Sequence, residues 1–345
     1  MRPLSRPLCR PRQSPGVRAA GIAAGFLLDR IFADPRRLHP VAGFGQIAAL
    51  AEGRLLDGTR SDRARSPGRQ RAAGALYNAG LVGGASALVT IVGRAASRSA
   101  AISVLWHAVV VWSCLGGSSL LAVGKTQGQL LQRGDHAGSR ELLSWLCGRD
   151  PDALDPTGLA RAVVESLAEN TSDAAVGTLF WAAVAGPPGA AAHRAANTLD
   201  AMVGHRSSRY QHFGWASARL DDVLGYLPAR LAGALAVAAA PTVEGSAPGA
   251  LRVWLRDARA HPSPNAGVVE ATCAGALGIQ LGGPTPYPYG VQDRAVLGDG
   301  KQVRPGDVDR AVRLHDRVQL AAAMLAVAGV LVLTDARTVA EARHE

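Results

Sequence analysis

Two long stretches without a charged side chain constrain this chain more than any other feature. Residues 72–93 hold no Asp, Glu, Lys or Arg in 22 positions, and residues 101–124 hold none in 24. A helix crosses ~30 Å of hydrocarbon with about 20 apolar residues, so each stretch predicts a transmembrane helix. Residues 318–334, 17 positions between Arg317 and Asp335, predict a third. Composition agrees: 48% of residues are hydrophobic, only 19% are charged, and the mean hydropathy is +0.09. The expectation is a single all-α, polytopic membrane domain over residues 17–335. Small residues between Gly74 and Gly84 predict close helix packing in the first stretch.

The remaining apolar blocks are shorter. Residues 1–16 are rich in Pro and Arg and read as a disordered tail, because proline removes a backbone donor and clashes with the preceding turn. The ten apolar residues 19–28 are too few to span. A secretory signal is the competing reading, but no small-residue cleavage site follows, and a re-entrant or interfacial segment is expected instead. Residues 174–192 are interrupted by Gly186, Pro187, Pro188 and Gly189, which predicts a segment that dips into the membrane and returns. Residues 231–243 are likewise short, and residues 336–345 read as a second tail. Basic residues set the orientation. Residues 54–71 carry Arg54, Arg60, Arg63, Arg65, Arg69 and Arg71, whereas the link between the two long stretches carries only Arg94 and Arg98. The first segment is therefore expected in the cytoplasm, and the chain returns there from Lys125 onward.

Several functions are disfavoured. A net charge of +10 suggests nucleic acid, yet the arginines are interspersed with acids and no aromatic stacking platform or zinc-finger pattern accompanies them. Cys9, Cys114, Cys147 and Cys273 are too scattered for a disulfide framework or thiolate metal site. Ser119 to Thr126, S-L-L-A-V-G-K-T, resembles the end of a P-loop, but a serine replaces the first glycine and the run leaves an apolar helix rather than a strand. No H-E-x-x-H, G-x-S-x-G or G-x-G-x-x-G is present.

The polar residues are concentrated between positions 149 and 267. Arg149-Asp150-Pro151 opens the first segment. Arg161, Glu165, Glu169 and Asp173 follow at four-residue spacing, which on a helix drifts only ~40° per step and keeps them on one stripe, with Asn170 beside it. Three carboxylates on one face repel unless a cation sits among them, so the functional reading is a magnesium site that receives phosphate oxygens. Surface pairing, as of Arg161 with Glu165, is the plain alternative. A second segment holds N-T-L-D-A-M-V-G, with Asn197 and Asp200, then F-G-W-A-S-A-R-L-D-D, with Arg219, Asp221 and Asp222, then Arg230. Adjacent aspartates diverge on a helix, so at most one is expected to face a site. The third, H-P-S-P-N-A-G, is turn chemistry in which His261 donates to an anion or braces the turn, beside Asn265.

Taken in order, L-L-D-R-I-F-A-D-P-R-R-L-H-P-V from Leu27, G-R-D from Gly148, E-S-L-A-E-N-T-S-D from Glu165, N-T-L-D-A-M-V-G, F-G-W-A-S-A-R-L-D-D, P-A-R from Pro228 and H-P-S-P-N-A-G resemble the CobD/CbiB family of cobalamin biosynthesis, from about residue 20 to 335. The family's usual G-D-P reads Ala33-Asp34-Pro35 here. The resemblance implies an integral enzyme of the cell membrane, adenosylcobinamide-phosphate synthase. Such an enzyme joins aminopropanol or its phosphate to the propionate of adenosylcobyric acid with ATP and magnesium, its partners including lipid and other late enzymes of the pathway. In that reading Glu165, Glu169 and Asp173 hold Mg2+ and take part in catalysis, and Asp200 or Asp222 accepts the ammonium proton. Arg149, Arg219 or Arg230 meets phosphate oxygens, and Asp150, Asn170, Asn197, Asp221, His261 and Asn265 bind substrate. A corrinoid transporter or membrane scaffold is the competing class. Transporters commonly show repeated halves, and no internal repeat is visible here.

Overall fold

The computed structural model describes residues 14–34, 39–56, 66–205, 207–287 and 290–341, with side chains to residue 332. Apart from one small antiparallel hairpin, the described chain is helical. The helices are α1 (Pro15–Phe32), α2 (Pro40–Leu56), α3 (Pro67–Ala96), α4 (Ala100–Cys114), α5 (Gly117–Gln132), α6 (His136–Leu143) and α7 (Pro156–Asn170). They continue with α8 (Thr178–Val203), α9 (Trp215–Ala239), α10 (Ala247–Asp257), α11 (Ala266–Leu277) and α12 (Pro305–Glu341). The hairpin pairs β1 (Leu281–Tyr287) with β2 (Gly290–Leu297). Residues 1–13 of the expected N-terminal tail lie outside the described residues, and Pro15 already opens α1. At the other end α12 continues to Glu341, so helix replaces most of the expected tail; residues 342–345 lie outside the description.

Five helical stretches have the length and apolarity to cross a membrane: Pro67–Ala96, Ala100–Gln132, Pro156–Val203, Trp215–Val243 and Pro305–Val332. They identify a multi-pass membrane protein and contain the first two predicted spans and residues 318–332 of the third. One of those spans is not continuous. Residues 101–124 break at Leu115 and Gly116, where Leu115 turns extended (ψ 158°). Hydropathy is blind to this break. The freed Cys114 carbonyl accepts from Thr178 Oγ1 at 3.1 Å, and the buried carboxylate of Asp29 caps α5 from outside the helix, accepting from Ser118 N at 3.0 Å and Ser118 Oγ at 2.7 Å.

The apolar stretch that folds back on itself is α8. Gly186 has φ 70° and is followed by Pro187 and Pro188, so the helix reverses there. Side chains added at Gly177 and Gly189 would meet His193 and the Trp181 carbonyl at 2.3 and 2.8 Å, and Asn197 reaches Asp173 at 3.1 Å. Each limb from Asp173 or Asn197 to the apex is roughly 20 Å long at 1.5 Å per residue, too short to cross. Arg18 donates to the Ala183 carbonyl at 3.1 Å, beside the apex. By contrast α1 is an uninterrupted helix lying parallel to α4, with Gly21 against His107 and Gly25 against Val111. That G-x-x-x-G face permits close approach and carries the two ends of α1 to opposite ends of α4. The glycines expected to pack α3 divide: Gly74 sits on the Phe213 backbone, while Gly80, Gly83 and Gly84 face open space.

Helix α5 and the first half of α12 run antiparallel, with Gly117 against Gln319, Gly124 against Val312 and Gly128 against Asp309. The main core fills the space between these helices, α7, the C-terminal half of α9, α10 and the wholly buried α11.

Candidate active site

Helix α7 starts where Asp155 accepts from Gly158 N at 2.6 Å, with Pro156 in the first turn. It carries Arg161, Glu165 and Glu169 on one stripe. The π-helical segment Thr171–Gly177 that follows bears Asp173, a wide turn of the kind that re-aims side chains at functional sites. The stripe does two jobs. Its first half holds the β-hairpin, as Arg161 donates to the carbonyls of Gly282 and Pro284 at 2.6 and 2.7 Å. Glu165 is buried; its Oε1 accepts from Gly282 N at 2.6 Å, and its Oε2 is bonded to Arg149 and lies 3.6 Å from Arg294. Both carboxylate oxygens are thus engaged, which removes Glu165 from the expected magnesium set and commits Arg149 to a buried pair.

The second half of the stripe faces open space. Glu169 and Asp173 line a cavity of about 790 Å³ with Asp200, Asp221 and Asp222. Asn197 bridges two of them, donating to Asp173 Oδ2 at 3.1 Å and Asp221 Oδ1 at 3.3 Å. Both adjacent aspartates of α9 line the cavity, contrary to the sequence expectation. Successive helical residues diverge by about 100°, and the cavity is wide enough to meet both. Its opposite wall is formed by His261, Asn265, Tyr287 and Arg294. Among the described lining residues, Arg294 is the one lysine or arginine.

Other expected residues act as braces. Asp150 accepts from Asp152 N in its own turn, and Asn170 folds back on the Ser166 carbonyl and hydroxyl, both at 2.9 Å. Arg230 donates to Asn265 Oδ1 and the Pro264 carbonyl, while Asn265 Nδ2 donates to the Asp222 carbonyl at 2.9 Å. Arg219 is largely exposed, 3.7 Å from Asp222. Neither Arg219 nor Arg230 lines the acidic cavity. Residues 119–126 form the interior of α5, which agrees with rejecting a P-loop.

Sequence reasoning missed Glu270 and Arg294. Glu270 is fully buried, 3.3 Å from Arg294 and 3.8 Å from His261. A lone acid in the apolar run A-G-V-V-E-A-T-C-A-G-A-L was the available signal, since a buried carboxylate requires a partner. His261 Nε2 faces the Arg294 guanidinium, and its Nδ1 lies 3.0 Å from Ser263 N and 3.1 Å from the Ser263 carbonyl. Burial, reinforced by Arg294, lowers the His261 pKa to about 4. The histidine is therefore neutral and braces the arginine rather than binding an anion.

A second polar cluster ends α1. Asp34 N donates to Ser119 Oγ at 3.0 Å, and Asp34 Oδ1 lies 3.4 Å from His39. Burial opposes the Asp34 charge, but His39 and Ser119 outweigh it and hold the carboxyl below its usual range. Ala33, where the resembling family has glycine, adopts φ 51° and ψ −154°, a glycine conformation.

Among the described residues, no three His, Cys, Asp or Glu side chains are gathered tightly enough to hold a metal ion. The all-oxygen donor set of Glu169 and Asp173 still suits Mg2+, which is commonly held by one or two carboxylates plus the phosphates of a substrate.

Comparison with known proteins finds relatives of the whole chain. A family model described as CobD/Cbib protein matches residues 22–315. A protein of Mycobacterium tuberculosis named cobalamin biosynthesis protein CobD is 49% identical over 312 residues, covering 90% of this chain and 95% of its own. Proteins of the same name from Chromobacterium violaceum and Geobacter metallireducens are 38% and 40% identical, covering 89% and 78% of this chain and 95% and 82% of their own. No solved structure matches.

Proposed function

Because the chain belongs to the CobD/Cbib family of cobalamin biosynthesis proteins, we propose that it is an adenosylcobinamide-phosphate synthase. It joins the propionate carboxylate of adenosylcobyric acid to aminopropanol or aminopropanol phosphate, with ATP as cosubstrate, on the cytoplasmic face of the cell membrane. The observation that supports this most is the cavity where Glu169, Asp173, Asp200, Asp221 and Asp222 face Arg294.

A carboxylate has no leaving group, so amide formation requires its activation by ATP, here as an acyl phosphate that releases inorganic phosphate when the amine attacks. Glu169 and Asp173 would hold Mg2+, which supplies charge neutralisation at phosphate oxygens when bound. Asn197 fixes the Asp173 and Asp221 carboxylates in place, and Arg294, held by Glu165 and Glu270, offers the cavity a positive charge for the propionate or phosphate. The amine enters as an ammonium, to which the acidic wall is complementary. Asp200 or Asp222 then removes its proton before attack. Among the described residues that line the cavity, no serine or cysteine hydrogen-bonds to a base, so the acyl group stays off the protein.

The test supplies membranes containing the protein with ATP, adenosylcobyric acid and each amine in turn. Amide should form with one amine only when ATP is present, and oxygen-18 in the propionate should emerge in inorganic phosphate. Absence of product with both amines would remove the assignment. Label in AMP would replace phosphorylation by adenylation.

A further inference from the structure

A second cavity of about 550 Å³ adjoins the acidic one, and His261 and Pro262 line both. Its character is opposite. Arg219 and Arg230 of α9 and Arg259 after α10 surround it, with Tyr226 and Trp254 supplying aromatic walls, and no acidic side chain lines it. Arg230 is pre-organised: its guanidinium lies 3.6 Å from the Tyr226 ring centroid and is braced by Asn265 and Pro264. Arg219 has only the loose 3.7 Å contact with Asp222. Arg259 makes no hydrogen bond or ion pair with any described residue. Three guanidinium groups around one opening repel one another unless an anion joins them, and arginine is the side chain best shaped for phosphate.

We propose that this cavity is a phosphate subsite, binding the phosphate of a ligand whose remainder reaches past His261 into the acidic cavity or lies along the aromatic wall. The ligand's identity rests on the amide-synthase reading, which supplies a nucleoside triphosphate: the base stacks on Trp254 or Tyr226 and the phosphates meet the arginines. The same phosphate chemistry is offered by an anionic lipid headgroup. Leu227, Leu251 and Leu255 are exposed on the two helices that frame the opening and could receive acyl chains.

The experiment uses the full chain in nanodiscs of zwitterionic phosphatidylcholine, with and without phosphatidylglycerol. Binding of a β,γ-imido analogue of ATP and retention of phosphatidylglycerol are measured for the native protein, for Arg219→Ala with Arg259→Ala, and for the corresponding double lysine variant. Loss of analogue affinity by tenfold or more in the alanine variant, with partial recovery in the lysine variant, establishes a nucleotide subsite. The same loss and recovery in lipid retention alone establishes a headgroup subsite. Unchanged analogue affinity together with unchanged lipid retention overturns the proposal. Because binding is read without turnover, a native chain that binds the analogue yet makes no amide would count against the proposed reaction and leave this subsite standing.

Discussion

Glu165, Glu169 and Asp173 share one helical stripe yet meet different surroundings, and substitution should separate them. Glu165→Gln removes a charge that two arginines and a backbone amide hold in the buried interior. Breaking such a buried pair costs about 3–5 kcal/mol, so the variant should lose thermal stability in detergent before any effect on chemistry is considered. Glu169→Gln and Asp173→Asn face the cavity and should leave stability within about 1 kcal/mol of native while abolishing ATP-dependent amide formation. A stable Glu165→Gln protein, or active variants at the other two positions, would reverse the division. Ala33 offers an opposite test. Its φ of 51° with ψ −154° is a conformation that strains any residue bearing a Cβ by ~1–3 kcal/mol, so Ala33→Gly should raise the melting temperature, offset in part by glycine's greater freedom in the unfolded chain. An unchanged or lower melting temperature would show that the backbone there is not strained.

Among the elements, α8 determines how the site is reached. Its limbs fold back at Gly186, so the segments before and after the hairpin emerge on one side. In a background with the native cysteines replaced, Asp152→Cys and Ser208→Cys should both react with an impermeant thiol reagent from the same side of sealed vesicles. Labelling from opposite sides would mean that the stretch crosses after all. The hairpin was legible as a broken apolar run, since Gly-Pro-Pro-Gly interrupts helical hydrogen bonding wherever it occurs. The β-hairpin was not anticipated, although Gly282, Gly283, Pro284 and Pro286 announce irregular backbone, because its strands are held by Arg161 and Glu165 from 121 and 117 residues away.

For the whole molecule, the parallel packing of α1 on α4 places the start of α1 beside the link between α3 and α4. The end of α1 then lies at the level of Ser118 and Asp34. A cysteine at Gly16 should therefore label from the same side as one at Ser97, and from the side opposite Asp152. Labelling of Gly16→Cys together with Asp152→Cys would instead show that α1 is re-entrant. The basic residues between 54 and 71 predict that the Asp152 side is the cytoplasmic one; residues 57–65 of that segment lie outside the described residues.

The sequence alone determined that the chain is helical and membrane-embedded, because uncharged runs of 22 and 24 residues have no other stable home. It also determined the family, because seven separated motifs occur in order. Which motif residues face a common space was decided only by tertiary structure. A four-residue stripe fixes direction around one helix, but not which neighbour stands opposite. Glu165 met Arg149, Arg294 and the hairpin, whereas Glu169 and Asp173 met the ends of α8 and α9. Arg294 carries no local signature, and its pairing with Glu270 required strand β2 to lie against α11. The length and apolarity of α1 likewise could not reveal that Gly21 and Gly25 would seat it along α4, since close approach is a property of two surfaces together.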